Sequence, residues 1–338
     1  MGRAFIIGGT GQIGVAAAEA LRDAGWDVTV AHRGRRKAAI EGVRVVVADR
    51  RRAGEIEAAL ADGADVVLDT VAFTPAEADQ LVAMRDNVGS YIVISSASVY
   101  ADDQGRSLDT AGETGFPIFD GPIRETQPTI AAGPASYSTQ KVALEQRLLD
   151  SGAPVTLLRP CAIHGPHSGH PREWWFVKRM LDGRAAIPLA FNGESRFQTS
   201  AVRNIAALIR TVAELPAARV LNAVDPDAPT VAEIGATIAA RIGWQGDLVP
   251  LESGEVGHSP WSTPSPMVAD MSAAAALSYE PAGTYAETVG EAIDWLVSRN
   301  PADWRKAFPV LAMYPGDLFD YATEDRVFAG LDRSPHQI

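Results

Sequence analysis

Cysteine is almost missing from this chain. Cys161 is the only one among 338 residues, which excludes an intrachain disulfide and a cysteine-based zinc site. Long uncharged apolar runs are missing too, although 46 % of the residues are hydrophobic, so no membrane-spanning helix is expected. Positive charge is in deficit: 30 Lys and Arg stand against 42 Asp and Glu, a net charge of −12. A chain this acidic is a poor general binder of nucleic acid, and none is expected as a partner. There is no internal repeat and no low-complexity tract. The first residues run directly into a glycine-rich motif with no space for a signal peptide, so a cytoplasmic location is expected.

What is present is a regular alternation. Apolar runs occur at Ala4–Ile7, Val28–Ala31, Val43–Val47, Val66–Leu68, Tyr91–Ile94 and Val155–Leu158. Helical patterns lie between them at Val15–Ala24, Ile56–Ala61, Pro75–Met84 and Ser138–Asp150, with Gly25, Gly63, Gly89 and Gly152 placed as helix ends. Strands alternating with helices of this length predict an α/β fold, a Rossmann-type doubly wound parallel sheet. Beyond position 165 Pro and Gly become frequent. Leu221–Val224 is expected to be a further sheet strand, and Val231–Ile242 and Tyr285–Ser298 amphipathic helices. The expected organisation is therefore a Rossmann domain from residues 1–165 plus about 198–226. A smaller C-terminal substrate-binding lobe takes about 166–197 and 227–300. The aromatic tail, 301–338, is expected to pack on the body rather than stay disordered.

Three elements carry chemistry. Phe5 to Gly14 reads as a short strand running into Gly8-x-x-Gly11-x-x-Gly14, followed at once by a helix. Glycines permit the tight turn and the close approach of a pyrophosphate, and the helix start offers free N–H groups to it. Between strand and helix this is a dinucleotide signal. Tyr137 and Lys141 are four apart at the start of a predicted helix, so both lie on one face. A tyrosine with a pKa of about 10 is a poor acid or base near neutrality, and a neighbouring ammonium moves it toward working pH. The fifth strand ends Ser95-Ser96-Ala97-Ser98-Val99-Tyr100, placing small hydroxyls where a parallel sheet opens its ligand crevice.

In this order the three elements resemble the short-chain dehydrogenase/reductase superfamily, specifically its extended branch of epimerases, dehydratases and reductases. The resemblance covers roughly residues 3 to 298 and includes Glu125-Thr-Gln-Pro128, Leu158-Arg-Pro-Cys-Ala-Ile-His-Gly-Pro166 and Asp270-Met-Ser-Ala-Ala. The Gly-Gly-Thr-Gly spacing is closer to an atypical subgroup. The resemblance implies that Tyr137 is the general acid/base, that Lys141 lowers its pKa and bonds the nicotinamide ribose, and that Ser96 orients the substrate oxygen. It places Gly8, Thr10, Gly11, Gln12, Ile13 and Gly14 at the cofactor. Thr70, Val71 and Ala72 would line the cofactor, Asp49 with Arg50 would meet the adenine, and Pro160 and Ile163 would flank the nicotinamide. It also implies a homodimer.

The second strand ends His32-Arg33-Gly34-Arg35-Arg36, without the carboxylate that binds the 2′-hydroxyl in NAD enzymes. Eight of the 30 basic residues lie between positions 31 and 52. Arginine pairs bidentately with a 2′-phosphate, so NADP is expected as the preferred cofactor, with Arg33 the main contact, Arg36 assisting, and NAD as the alternative. Dehydratases of the branch carry Asp-Glu where this chain has Ala97-Ser98, and decarboxylases carry a glutamate at the Ser98 position, so neither reaction is expected. What remains is a reductase or dehydrogenase, or an epimerase that retains its cofactor, with a non-catalytic dinucleotide-sensing or RNA-binding protein as a third reading. Ser98, His164, Trp174, Arg196 and Gln198 are the candidate substrate contacts. Arg196 is shifted by about one residue from the family's usual arginine, and His164 replaces its tyrosine. His164, His167 and His170 with Glu173 have the side chains for zinc, but they fall in a Gly- and Pro-rich loop, and no metal is expected.

Overall fold

The computed structural model describes residues 2–34, 40–252 and 256–331. The strands are β1 (Arg3–Ile7), β2 (Asp27–His32), β3 (Arg44–Val47), β4 (Ala64–Asp69), β5 (Val88–Ile94), β6 (Val155–Arg159), β7 (Ala162–His164), β8 (Ala186–Leu189), β9 (Thr199–Ala201), β10 (Arg219–Asn222) and β11 (Asp247–Pro250). The helices are α1 (Gln12–Asp23), α2 (Glu55–Leu60), α3 (Pro75–Ala83), α4 (Ala111–Thr114), α5 (Tyr137–Leu149), α6 (Trp174–Leu181), α7 (Val202–Ala213), α8 (Val231–Ile242), α9 (Ser272–Ala275), α10 (Tyr285–Thr288), α11 (Gly290–Arg299), α12 (Trp304–Ala307) and α13 (Tyr321–Leu331).

Seven strands form one sheet in the order β10-β6-β5-β4-β1-β2-β3, every neighbour parallel. Parallel strands buried on both faces read as continuous apolar runs, which is why Phe5–Ile7 and Val66–Leu68 are legible as strands. One face is covered by α1 and α7, through Ala17, Leu21, Ile205 and Ile209 against Ile6, Val30 and Leu68. The other is covered by α2, α3 and α5, through Ile56, Leu81, Leu144 and Leu148 against Phe5, Val67 and Val93. The chain reverses its winding between β1 and β4, and a ligand crevice is expected at the carboxyl ends of these strands.

A third apolar cluster lies outside the sheet. Trp174, Trp175 and Phe176 of α6 pack with Ile234 and Ile238 of α8 and Ile293 and Leu296 of α11. Trp304, Phe308, Leu311 and Phe319 complete it. Two short parallel pairs, β7 with β9 and β8 with β11, lie beyond the main sheet.

Three local expectations are corrected. Gly89 lies inside β5 rather than at a helix end, and a Cβ there would meet the Asp65 carbonyl oxygen at 2.6 Å; the glycine lets β4 approach. The last sheet strand is Arg219–Asn222, because the ladder finishes with Ala223 N–H on the Arg159 carbonyl and the chain then turns Asp225 inward. The helix expected at 285–298 is two, α10 and α11. The Thr288 hydroxyl bonds back to the Thr284 and Tyr285 carbonyls and competes for those acceptors at the join.

Candidate active site

At the end of β1 the backbone passes through Gly8, at φ +84°, and enters α1 with Gly11 at the cap. A Cβ on Gly14 would sit 2.5 Å from the Gly9 Cα and 2.7 Å from the Gly8 carbonyl oxygen. Only glycine lets the first turn of α1 lie this close to the loop. The Thr70 hydroxyl, just beyond β4, donates to the Ile7 and Gly8 carbonyls at 3.1 and 3.2 Å and pins the loop across the switch point.

Above this loop is a cavity of about 480 Å³. Gly8, Thr10 and Gly11 form its floor, Val71 and Glu77 one wall, and Arg33, Arg50 and Arg51 another. Arg50 is committed: its guanidinium lies 2.6 Å from the buried Asp69 carboxylate, which also accepts from the Val71 and Ala72 N–H groups. Arg33 and Arg51 have no ion-pair partner among the described residues. Arg51 was not singled out from the sequence; its position two residues past the third strand's carboxylate was the available signal. Asp49 itself does not line the cavity. Its carboxylate accepts the Arg51 N–H at 3.1 Å. Ile13 and Gly14 are buried beneath the loop, and Arg36 lies outside the described residues.

A second cavity, about 330 Å³, opens beside the first. It brings together Gln12, Ser96, Ser98, Tyr137, Pro160 and Ile163 with Cys161, Leu108, His170, Arg172 and Phe197. Ser136 caps α5, its hydroxyl accepting the Thr139 N–H at 3.2 Å, and this fixes Tyr137 as the first helical residue. Tyr137 is half exposed, with the Ser96 hydroxyl near enough to favour its phenolate. From Ser96 the chain of hydroxyls continues to Ser98 at 2.9 Å, to Ser138 at 2.8 Å and to the Asp109 carboxylate at 2.8 Å.

Tyr137 and Lys141 share one face, as their spacing requires, but the ammonium makes its hydrogen bonds to backbone carbonyls. Lys141 Nζ donates to the Ala72 and Ile94 carbonyls at 2.7 and 2.8 Å and lies 5.8 Å from the Tyr137 ring centroid. Burial moves the Lys141 pKa down to about 8, against the pull of Asp69. Burial also raises the Tyr137 phenol above its ordinary value, with Asp109 adding to the rise and the Ser96 hydrogen bond opposing it. The expected lowering of Tyr137 by Lys141 is therefore not seen in this conformation. Cys161 lines the cavity as a neutral thiol, pushed up to about 12 by burial.

Four expected substrate contacts do not face this cavity. His164 is buried, its Nε2 2.8 Å from the Asp225 carboxylate. Burial opposes the charged ring, but Asp225 outweighs it and the pKa is raised. Trp174 is 1 % exposed and packs on Phe308, because the apolar face of α6 points into the lobe. Gln198 is a brace: its amide donates to the Asp225 carbonyl at 2.8 Å and accepts the Ala269 N–H at 2.6 Å. Arg196 bonds the Ala228 carbonyl and faces Glu233 at 3.8 Å. His167 and His170 pack against different rings, edge-on to Trp295 and tilted to Tyr314, so the three histidines diverge.

Among solved structures the chain is similar to a UDP-N-acetylglucosamine 4-epimerase from Methanobrevibacter ruminantium, at 20 % identity and TM-score 0.68 over 88 % of this chain and 99 % of that one. A dTDP-glucose 4,6-dehydratase from Bacillus anthracis, solved with NAD, is similar at 16 % identity and TM-score 0.67, covering 91 % and 100 %. The enzyme WbmH from Bordetella bronchiseptica, solved with NAD⁺, is similar at 18 % and 0.65, covering 88 % and 98 %. Comparison with curated proteins by sequence gives no significant match. The family model described as NAD dependent epimerase/dehydratase matches residues 4–223, spanning the glycine loop, the hydroxyl cluster and all seven strands of the sheet, and the chain belongs to that family.

Proposed function

We propose that this protein is an NADP-dependent oxidoreductase acting at a C–OH/C=O centre on a sugar-like or secondary-metabolite substrate. The observation that carries the cofactor preference is the pair Arg33 and Arg51. Both lack an ion-pair partner among the described residues, both line the cavity above the glycine loop, and no carboxylate ends β2. Two guanidiniums suit a 2′-phosphate and are poorly matched to a bare 2′-hydroxyl. The glycine loop fits a pyrophosphate for the steric reason already given, since any side chain at Gly14 would fill the space the backbone needs.

The chemistry follows from the second cavity. When bound, the nicotinamide would supply or accept the hydride. The Ser96 and Tyr137 hydroxyls hold a substrate oxygen between them, and Tyr137 moves the proton at that oxygen. Lys141, at a pKa of about 8, remains largely cationic near neutrality and is the ammonium one helical turn from the phenol. Among the residues lining this cavity none is Asp or Glu. Elimination and decarboxylation place carboxylates there, so their absence supports simple hydride transfer.

The same residues serve an epimerase that retains its cofactor, a reading supported by the family to which the chain belongs. The two are separated by denaturing the purified protein and identifying any released dinucleotide by mass spectrometry. Stoichiometric NADP⁺ or NAD⁺ supports the epimerase. An empty protein that binds NADPH reversibly, and more tightly than NADH, supports the reductase. Absence of affinity for either dinucleotide would overturn both.

A further inference from the structure

The second cavity is lined by a cation, Arg172, that forms no ion pair among the described residues; the adjacent Glu173 carboxyl is buried, and burial raises its pKa against the pull of His164 and Arg172. Other buried arginines are closed by carboxylates: Arg159 by Glu145 at 2.5 Å and Arg179 by Glu324 at 2.6 Å. Arg172 has no ion pair among the described residues. Its guanidinium carbon lies 6.0 Å from the Phe197 ring centroid, and its Nε is buried without a hydrogen-bond partner. Beside it, His170 Nε2 is also buried and unpartnered. Burial first, and the Arg172 charge second, hold the His170 pKa down to about 3, so the imidazole is neutral at pH 7. With no Asp or Glu in the lining, Arg172 is the one fixed charge among the described residues that line the space with Tyr137 and Ser96.

The buried Nε leaves one donor of this half-buried guanidinium without an acceptor, and such a donor is costly until something accepts from it. The arrangement suits a ligand whose own anion closes it, because an arginine fork matches a carboxylate or phosphate bidentately. The size of the cavity, about 330 Å³, falls at the lower end of the roughly 300–1,000 Å³ of small-molecule sites. We infer that Arg172 is the substrate's anion anchor: the molecule that meets Tyr137 is a small hydroxy or keto compound carrying a terminal carboxylate or phosphate monoester, with His170 as a neutral hydrogen-bonding neighbour. The inference rests on the proposed reaction at this site and specifies its substrate class.

Calorimetric titration of the full chain, with and without saturating NADP⁺, tests it with three probes: D-glucuronate, D-glucose 6-phosphate and D-glucose. At least one anion is expected to bind tenfold or more tightly than glucose, and which one does so distinguishes carboxylate from phosphate. The advantage should vanish in Arg172→Met, persist in part in Arg172→Lys, which keeps the charge, and be unchanged in Arg203→Met, whose side chain pairs with Glu291 on the surface. Melting temperatures of the variants confirm that each is folded. Equal affinity for all three probes, no saturable binding of either anion, or an anion preference that survives Arg172→Met would overturn the inference. Failure of NADP⁺ itself to bind would instead count against the proposed reaction, and the titrations without cofactor would still report on Arg172.

Discussion

The Ser98 and Ser138 hydroxyl oxygens lie 2.8 Å apart, joining the end of β5 to the first turn of α5. That contact completes the hydroxyl chain from Ser96, beside Tyr137, to Asp109. The Asp109 charge helps to hold the phenol's pKa above its ordinary value. Removing a nearby negative charge favours the phenolate, so Asp109→Asn is expected to lower the Tyr137 pKa. Ultraviolet difference titration of the phenolate band, with Tyr137→Phe subtracted, reads this directly. An unchanged or higher value would show that the two groups are not coupled.

Tyr137→Phe keeps the ring and removes the proton. Turnover is expected to fall by about 10²–10⁴-fold, the usual worth of a positioned acid or base, while affinity for NADPH stays near wild type. Parallel NADPH titration and steady-state assay make the comparison. Undiminished turnover would remove Tyr137 from the mechanism.

Arg33, Arg51 and Arg50 line one cavity but are expected to respond differently. Arg33→Ala and Arg51→Ala should each weaken NADPH binding by about 1.5–3 kcal/mol, the worth of a hydrogen bond to a charged group, and leave NADH binding unchanged. Arg50→Ala should instead cost stability, about 3–5 kcal/mol for breaking a buried pair, because it strands the fully buried Asp69 carboxylate. Fluorescence titration with both dinucleotides, alongside urea denaturation, separates the two classes.

Asp102 organises the loop that delivers Leu108 and Asp109 to the site. Its carboxylate accepts the Gln104, Arg106 and Ile118 N–H groups and the Arg106 guanidinium. Although burial works to raise it, these bonds lower its pKa from 3.8 to about 2. A depressed carboxylate stabilises the fold above its unfolded pKa, and that contribution is lost as pH falls through the folded value. Asp102→Asn should therefore be less stable than wild type at pH 7, with the gap closing between about pH 4 and pH 2. Urea midpoints measured across that range check the sign.

The parts of the site that were legible in the sequence are local. The glycine loop is a strand, a turn and a helix in ten residues, and Tyr137 with Lys141 spans one helical turn. Spacing could place those two on one face, but not show that Lys141 reaches the carbonyls of Ala72 and Ile94, residues on two other segments. His164 and Gln198 were misread as cavity residues because their partner, Asp225, lies 61 and 27 positions away. Arg172 and Phe197 carry no local signal either. In a Pro- and Gly-rich loop no periodicity indicates which side chain faces inward, and the second cavity exists only where that loop folds over Ser96. The α6 tryptophans were ambiguous until α8, α11 and the tail closed around them.

Arg179 stacks on the Trp175 ring, 3.7 Å from its centroid, while Glu324 of α13 neutralises it. The last described helix is thus a plug supplying the counter-charge for a guanidinium deep in the lobe. A chain cut after Arg299 would lose Glu324 together with Trp304, Phe308 and Phe319, opening the Arg179 guanidinium and the apolar face beneath it to water. The segment of α6 immediately following Arg172 is built on that face. Residues 304–331 are therefore a structural wall of this lobe, and removing them would disturb the second cavity without touching a residue that lines it.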